Sequence, residues 1–333
     1  MNSGRLVTPL ADAVVTQLAR LTGRRADVLR DDLIGLVLEQ SPEAQVTPAD
    51  LTLIGQVQQG LDTSQTDERA PTIAEAQACL TMLSARGNPP FVIPDLVVNV
   101  RHLTEEELCV WHTLLGLYES IPSGWALVGG QMVHVHCWQR GVEPPRVTTD
   151  ADLIVDLRAD RQSLTRISDY LARFGYEEVG RSPANIGHRW IRDRAVIDLL
   201  IPEGLSERAA QATTVTGART VQVPGGTQAL DRAQVVAVEL DDRRGYVIRP
   251  SLLGALVGKA AALEIPVDPG RERHVSDFAT LTSLIDDPIG MRVLVKPKDK
   301  MRVARMIAKA DSERSMWQGA AARGTVVAAF DSD

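Results

Sequence analysis

The chain of 333 residues has 36 lysine and arginine residues against 43 aspartate and glutamate residues, a net charge of −7, and 44% of it is apolar. This length and apolar content suffice for a large core and favour two or three domains. The net acidity excludes a protein that binds nucleic acid through overall basic charge, and the absence of a run of about 18 apolar residues predicts no membrane-spanning helix.

The cysteines and the N-terminal residues bear on the cellular compartment. Cys79, Cys109 and Cys137 are too few and too widely spaced for a disulfide framework. The first residues, MNSGRLVTPLADAVV, lack the basic start and compact apolar stretch of a signal peptide. Together these features predict a protein of the reducing cytoplasm.

Residues 1–95 are predicted to be helices joined by polar segments. Apolar residues recur at spacings of three and four in LADAVVTQLARL and VLRDDLIGLVLEQ. The proline-rich GNPPFVIPDL breaks this pattern, so we place a boundary near residue 95. The helical N-terminal domain before it could cover a cleft, inhibit the rest of the chain or mediate oligomers.

Residues 96–250 alternate short strands and helices. TEEELCVWHTLLGLYES predicts a helix with Thr104 as its cap and Glu107 as the capping-box partner. WALVGG predicts a buried strand ending in glycines, QMVHVHCWQRG a helix, and VTTDADLIVDL a second strand. GHRWIRDRAVIDLLIP predicts two strands around a turn at Asp193, and RQSLTRISDYLARFG a helix that ends at a glycine.

Further strand-like segments are TTVTGARTVQV and QVVAVELDDRRGYVIRP, whereas residues 251–333 are mostly helical in pattern. Helices are predicted in SLLGALVGKAAALE, in HVSDFATLTSLI and near residues 297–311, and the tail GTVVAAFDSD gives no clear signal. The order predicts an α+β fold, in which a mixed-sheet core is flanked by N-terminal and C-terminal helical regions.

Two clusters in residues 124–157 are candidates for a metal site, and the first is His134, His136 and Cys137. Positions i and i+2 of a helix lie roughly 200° apart, so the two histidines face opposite ways. No second ligand pair with zinc-site spacing lies nearby. We therefore interpret these side chains as packed or solvent-facing and not as zinc ligands.

The second cluster is Asp150 and Asp152, which alternate with Ala151 on a predicted strand and so project from one face. Two adjacent carboxylates repel each other, and a divalent cation relieves the repulsion. Ligands that are all oxygen favour Mg²⁺ or Mn²⁺. The pair therefore predicts a site for one of these ions.

The surrounding sequence extends this prediction. Gly129 and Gly130 end a strand and open a helix, where free backbone N–H groups can bind phosphate. Asp198 lies in the apolar strand VIDLLIP, where a buried acid needs a partner. If that strand neighbours the strand of Asp150, Asp198 completes a carboxylate triad suited to nucleotidyl transfer.

The pattern LVGG, then R-x-T-x-D-x-D, then an acid flanked by apolar residues, resembles the nucleotidyltransferase superfamily with its polymerase-beta-like fold. Within it, the pattern is most similar to the AbiEii-type toxins of type IV toxin–antitoxin systems, the MenT-like enzymes. The similarity spans roughly residues 105–285 and departs from the family where Gly130 replaces a frequent serine and where GVEPP is inserted. The matching residues are Gly129, Gly130, Arg146, Thr148, Asp150, Asp152, Lys259 and Asp277.

The resemblance implies transfer of an NMP from an NTP to an acceptor hydroxyl with two Mg²⁺ or Mn²⁺ ions. Asp150, Asp152 and Asp198 would hold the ions, and Asp198 would share one ion or take the proton. Lys259 and Asp277 would complete the catalytic set. The residues implied for nucleotide and phosphate binding are Gly129, Gly130, Gln131, Arg146, Thr148 and Lys259.

Simpler interpretations of three of these residues stay open. Arg146 could form a salt bridge on a loop, and Lys259 could lie on the surface of its helix. Asp277 follows Ser276 and precedes FATL, so it could be an acid at the start of a helix.

The acceptor implied by the resemblance is the 3′ end of tRNA, held by the basic segment at residues 292–314, with a cognate antitoxin as partner and no membrane contact. The basic segment could equally be one solvated helix face. Alternatives are a small-molecule acceptor such as an aminoglycoside, a protein hydroxyl, or a catalytically inactive regulatory module. The predicted domains are residues 1–95, 96–250 and 251–333.

Overall fold

The computed structural model describes residues 92–330, apart from residues 101, 102, 159, 241, 242, 267, 269, 293, 314–316, 318 and 319. The helices predicted within residues 1–91 and Cys79 lie outside this range. The other two cysteines, Cys109 and Cys137, are free thiols. In the described part of the chain, no helix is long and apolar enough to cross a membrane.

Strands and helices alternate through the first two thirds of the described chain, and helices follow. The strands β1 to β9 are Val92–Asn99, Trp125–Val128, Asp150–Val155, Glu177–Val179, Arg189–Arg192, Ala195–Pro202, Val221–Val223, Ala233–Glu239 and Arg244–Pro250. The helices α1 to α10 are Glu105–Ser120, Gly129–Trp138, Ser163–Arg173, Glu207–Ala210, Gly226–Leu230, Leu252–Ala261, Arg271–Ser283, Pro288–Arg292, Pro297–Ser312 and Ala320–Phe330. A 3₁₀ turn, Ala262–Glu264, follows α6.

The strands form two sheets. The larger has the order β2-β3-β6-β5-β4, with β7 also paired to β6. Its β3–β6 and β6–β7 pairs are parallel and its other pairs are antiparallel. The smaller has the order β1-β8-β9, with a parallel β1–β8 pair and an antiparallel β8–β9 hairpin. This architecture confirms the predicted α+β fold with a mixed-sheet core.

Apolar side chains between the sheets and the helices form the core. Helix α1 packs on β6 and β9, and α2 packs on β2 and β3. Helix α6 contacts α7 and α9 on the other side. Trp111, Trp125 and Trp190 are almost fully buried there, so Trp190 is a core residue and offers no exposed ring for stacking.

Local signals explain several boundaries. The Thr104 hydroxyl accepts a hydrogen bond from the Glu107 N–H at 3.2 Å, and the Glu107 carboxylate accepts one from the Thr104 N–H at 2.9 Å. This reciprocal pair fixes the start of α1 as predicted. Asp193 adopts φ +53° in the tight turn between β5 and β6, where a short polar side chain tolerates the left-handed region.

Strand β1 was not predicted, because its proline indicates a boundary. The parallel register between β1 and β8 shifts between Val92 and Val97, and Pro94 falls inside this irregular stretch. Proline lacks the N–H needed for regular pairing, so it is accommodated at bulges and on edge strands such as β1. The strand therefore begins before the predicted boundary near residue 95.

The basic segment forms α9, as predicted, but only part of its charge faces solvent. Arg302 is fully buried, and its guanidinium contacts Glu264 at 2.8 Å and Glu203 at 2.6 Å. Lys298 also pairs with Glu203, at 3.0 Å. Lys296 and Arg305 are exposed. Part of the basic charge therefore ties α9 to the core.

Candidate active site

The predicted acids meet on neighbouring strands. Strand β3 pairs with β6 in parallel, which places Asp152 directly beside Asp198 and Asp150 beside Val196. On the other side of β3, Asp152 is paired with Val128, the last residue of β2. The strand adjacency on which the carboxylate triad depended is therefore confirmed, and the glycine turn after Val128 lies at the same end of the sheet.

Gly129 joins this turn to the acids. Its φ is +69°, in the left-handed region that favours glycine. A Cβ added at this position would overlap the Asp152 carboxylate, with Oδ2 as the nearest atom. Helix α2 begins at Gly129, so the unpaired N–H groups of its first turn lie next to Asp152.

We expect Gly129→Ala to lower activity by roughly 10²-fold or more, because the overlap must displace either the turn or the Asp152 carboxylate. Gly141→Ala is the matched control: Gly141 also has a left-handed φ of +66°, but an added Cβ meets no atom within 4 Å. Backbone strain should cost each variant about 1–2 kcal/mol of stability, and the overlap with Asp152 should add to the loss in Gly129→Ala, as measured by urea unfolding. Equal activity in the two variants would show that the contact with Asp152 is unimportant.

Gly130 is the position at which the family that the sequence resembles often has serine. A Cβ here would lie 2.7 Å from the Thr148 Oγ1 and 2.9 Å from a terminal nitrogen of Arg146. The loop that carries Arg146 and Thr148 therefore packs directly on the glycine backbone. This packing gives a physical reason for the departure, since a side chain at residue 130 would displace both residues.

Helix α2 holds this loop through side chains on one side. The Gln131 amide donates to the Thr148 carbonyl at 2.6 Å, and the His134 ring contacts the Arg146 carbonyl at 2.7 Å. The Thr148 hydroxyl in turn donates to the Asp150 carboxylate at 2.8 Å. Gln131 is fully buried and its side chain fixes the loop, which leaves only its backbone N–H at the turn that begins α2.

The histidines of HVHC are held apart, as the helical phase predicts. His134 contacts the Arg146 carbonyl, whereas His136 contacts the Pro250 carbonyl at 3.1 Å. Burial lowers the pKa of both rings. They are packed, neutral side chains, and the Cys137 thiol is buried beside them.

Asp277 brings three predicted residues together. The Arg146 guanidinium donates to both its oxygens, at 3.1 and 3.0 Å, and the Lys259 ammonium donates at 2.7 Å. Burial alone would raise the pKa of Asp277, but the charges and hydrogen bonds of Lys259 and Arg146 hold it below its ordinary value. The cluster is thus a buried carboxylate bound by two cations.

Two of the simpler interpretations are wrong. Helix α7 begins at Arg271, so Asp277 lies well inside the helix and is not an acid at its start. Lys259 is only 4% exposed, because α6 packs against α7 on that face, and so it is not a surface residue. Arg146 does form a salt bridge from a loop, and its partner is the buried Asp277.

Asp152 carries the least compensated negative charge of the site. Burial raises its pKa to about 7, with further contributions from the negative charges of Asp150 and Asp198. Lys259 and Arg189 oppose the shift without cancelling it. A bound cation would therefore stabilise the ionised form of this carboxylate more than it would stabilise that of an ordinary surface acid.

Asp198 is bound by a residue that the sequence did not indicate. Arg189, opposite it on β5, donates to both carboxylate oxygens at 2.9 and 2.7 Å. The Arg189 side chain is 45% exposed, whereas that of Asp198 is 7% exposed. The arginine therefore covers the third acid from the solvent side. Its only sequence signal was its spacing from the turn at Asp193, which sets the cross-strand register.

The three acids differ in how well they fit a metal ion. In the described part of the chain, no three His, Cys, Asp or Glu side chains converge closely enough to hold one. Mg²⁺, however, usually keeps several waters and binds through one or two carboxylates plus substrate phosphates. Asp150 and Asp152 fit this requirement, whereas the oxygens of Asp198 are occupied by Arg189.

A cavity of about 230 Å³ opens beside the acids. Gly129, Asp152 and Lys259 form one part of its wall. Apolar residues from the large sheet and from α6 form most of the rest. The site thus combines a glycine turn at a helix start, a carboxylate pair and an apolar recess.

No protein-family model and no curated protein sequence matches this chain. Among solved structures, the chain is similar to an antigenic nucleotidyltransferase-like protein from Paracoccidioides brasiliensis, with a TM-score of 0.40 and 14% identity over 64% of this chain and 93% of that one. It is also similar to the antibiotic-resistance factor ANT(2'')-Ia, with a TM-score of 0.31 and 14% identity over 62% of this chain and 94% of that one. Similarity of this extent assigns neither a family nor an activity.

Proposed function

We propose that this protein is a metal-dependent nucleotidyltransferase that moves an NMP from an NTP to an acceptor hydroxyl. The observation that carries the proposal is the contact between the left-handed turn at Gly129 and Asp152, which lies beside Asp198 in parallel register. The contact brings the first turn of α2, whose free N–H groups are the proposed phosphate donors, against a carboxylate whose charge is poorly compensated.

Asp150 and Asp152 are the proposed ligands of a Mg²⁺ or Mn²⁺ ion. When bound, such an ion neutralises phosphate charge and lowers the pKa of an acceptor hydroxyl. A second ion bound by Asp198, as in a two-ion scheme, would require this acid to leave Arg189. We therefore assign Asp198 to holding Arg189 at the rim of the site, where the guanidinium faces the acids.

The backbone N–H groups at Gly129, Gly130 and Gln131 are the proposed donors to phosphate oxygens. Thr148 holds Asp150 in place through its hydroxyl. Arg146 and Lys259 neutralise triphosphate charge, with Asp277 as the positioning residue that fixes both cations.

The proposed acceptor is the 3′ hydroxyl of tRNA. The exposed Lys296, just before α9, and the exposed Arg305 on α9 supply positive charge for a phosphate backbone. A toxin role with a cognate antitoxin as partner, in the cytoplasm, rests on the sequence resemblance alone and is proposed on that basis.

The test is a labelling assay. Each of the four α-labelled NTPs is incubated with the full-length protein, Mg²⁺ and total tRNA, and the RNA is then separated and counted. We expect label from at least one NTP to enter tRNA and none to enter with EDTA. If label enters only an aminoglycoside or a protein acceptor, the transfer chemistry stands and the acceptor is wrong. No transfer to any acceptor would remove the proposal.

A further inference from the structure

The cavity beside Asp152 is apolar in most of its wall. Its lining includes the side chains of Val128, Met132, Ile154, Leu200, Ala255 and Ile265. These come from β2, α2, β3, β6, α6 and the segment after α6, so several packed elements fix the shape of the recess. A recess of this kind suits a flat apolar body, with the few polar groups setting its orientation.

Polar side chains occur at few places in this wall. Among the described residues that line the cavity, those with polar side chains are Asp152, Lys259 and His274. The first two belong to the carboxylate and phosphate site. His274, from α7, is the one that the proposed chemistry does not use.

We propose that this cavity receives the base of the nucleotide and that His274 helps to select which base is bound. The inference rests on the proposed nucleotidyltransferase function. A nucleobase is apolar on its faces and polar at its edges, which matches apolar walls with one polar side chain. The cavity shares Gly129 with the phosphate turn, so one NTP can span both.

His274 has unused hydrogen-bonding capacity. Burial lowers its pKa to about 4, with the positive charge of Lys259 contributing, so the ring is neutral near pH 7. Its Nε2 lies 3.2 Å from an Asp268 oxygen, and its Nδ1 has no hydrogen-bond partner. A carboxylate next to Nε2 favours a proton on that nitrogen, which leaves the buried Nδ1 as an unpartnered acceptor.

Gly258 offers a way to fill the cavity without disturbing the fold. It lies in α6 and lines the cavity, and an added Cβ meets no atom within 4 Å. Gly258→Leu therefore adds to the wall an apolar side chain whose Cβ meets no other atom. Gly324→Leu is the matched control, since Gly324 lies in α10, outside the cavity lining, and an added Cβ there also meets no atom within 4 Å.

The experiment measures binding of each NTP and of inorganic tripolyphosphate, with Mg²⁺, by calorimetry. We expect Gly258→Leu to weaken NTP binding by roughly tenfold or more and to change tripolyphosphate binding by no more than about twofold. The variant should unfold at a temperature no lower than that of the parent. Gly324→Leu should match the parent for both ligands. Unchanged NTP binding by Gly258→Leu overturns the inference and leaves the proposed function standing.

Replacement of His274 gives a second readout. His274→Leu should change the order of affinities among the four NTPs, whereas His274→Gln, which keeps an acceptor, should retain the order of the parent. An unchanged order in His274→Leu would remove the selective role of this residue. If the parent protein binds tripolyphosphate and all four NTPs with the same affinity, the base contributes nothing to binding and lies outside the cavity. If the parent binds no NTP, the proposed function itself is wrong.

Discussion

Replacement of Asp152 by asparagine is expected to lower nucleotide transfer by about 10³-fold or more while leaving the protein folded. The substitution keeps the shape of the side chain against Gly129 but removes the charge that the cation requires. Loss of several kcal/mol of charge stabilisation corresponds to an effect of this size. Asp156 follows the far end of β3 and forms a salt bridge with Arg158. Asp156→Asn is therefore the control and should retain activity.

The same variant should be more stable than the parent at neutral pH in the absence of divalent cations. Because the pKa of Asp152 is raised to about 7, folding disfavours the ionised carboxylate, and this penalty grows as the pH rises from about 4 to 7. The neutral amide of the variant carries no such penalty, so the stability gain should appear over that interval and persist above it. Urea unfolding of both proteins from pH 4 to pH 8 measures the difference, and a stability gain that shrinks as pH rises would contradict it.

Replacement of Asp277 by asparagine is expected to cost about 3–5 kcal/mol of stability, because it leaves the buried Lys259 and the half-buried Arg146 without a counter-charge. Activity should also fall, since both cations lose the group that positions them. The parent should lose this contribution only as the pH drops below the ordinary range of aspartate, because the folded pKa of Asp277 is depressed.

The double variant Asp277→Asn with Lys259→Met separates charge from packing. If the uncompensated ammonium causes most of the loss, removing it should restore part of the stability measured by urea unfolding. Stability should decrease from the parent to the double variant, and again from the double variant to Asp277→Asn. If Asp277→Asn is as stable as the parent, Asp277 is not needed to neutralise these cations.

The sequence predicts most of the described elements where the signal is local. The capping box of Thr104 and Glu107, the turn at Asp193 and the alternation of Asp150 and Asp152 each depend on residues only a few positions apart, and each has the expected structure. Helix α10 and the short strand β4 were not predicted. Strand β4 depends on its pairing with β5, and the alanine-rich α10, which has no clear apolar period, depends on its packing against α7 and α8.

The candidate site was predictable in its components and not in its pairings. The acids on β3 and the glycines at the start of α2 follow from pattern, and the proximity of Asp198 was a stated condition that the parallel register meets. Arg189 was not identified, because its contact with Asp198 emerges only when its spacing from the turn at Asp193 is converted into cross-strand register. The convergence of Arg146, Lys259 and Asp277 likewise requires three elements to pack together.

The buried guanidinium of Arg302 has a practical consequence for dividing the chain. A fragment that ends before α9 would leave Glu203, next to the end of β6, and Glu264, after α6, facing each other without their shared cation. Two half-buried carboxylates would then repel inside the molecule. Helix α9 therefore neutralises two acids that follow β6 and α6, so shortened versions intended for crystallisation should retain residues through the end of α9.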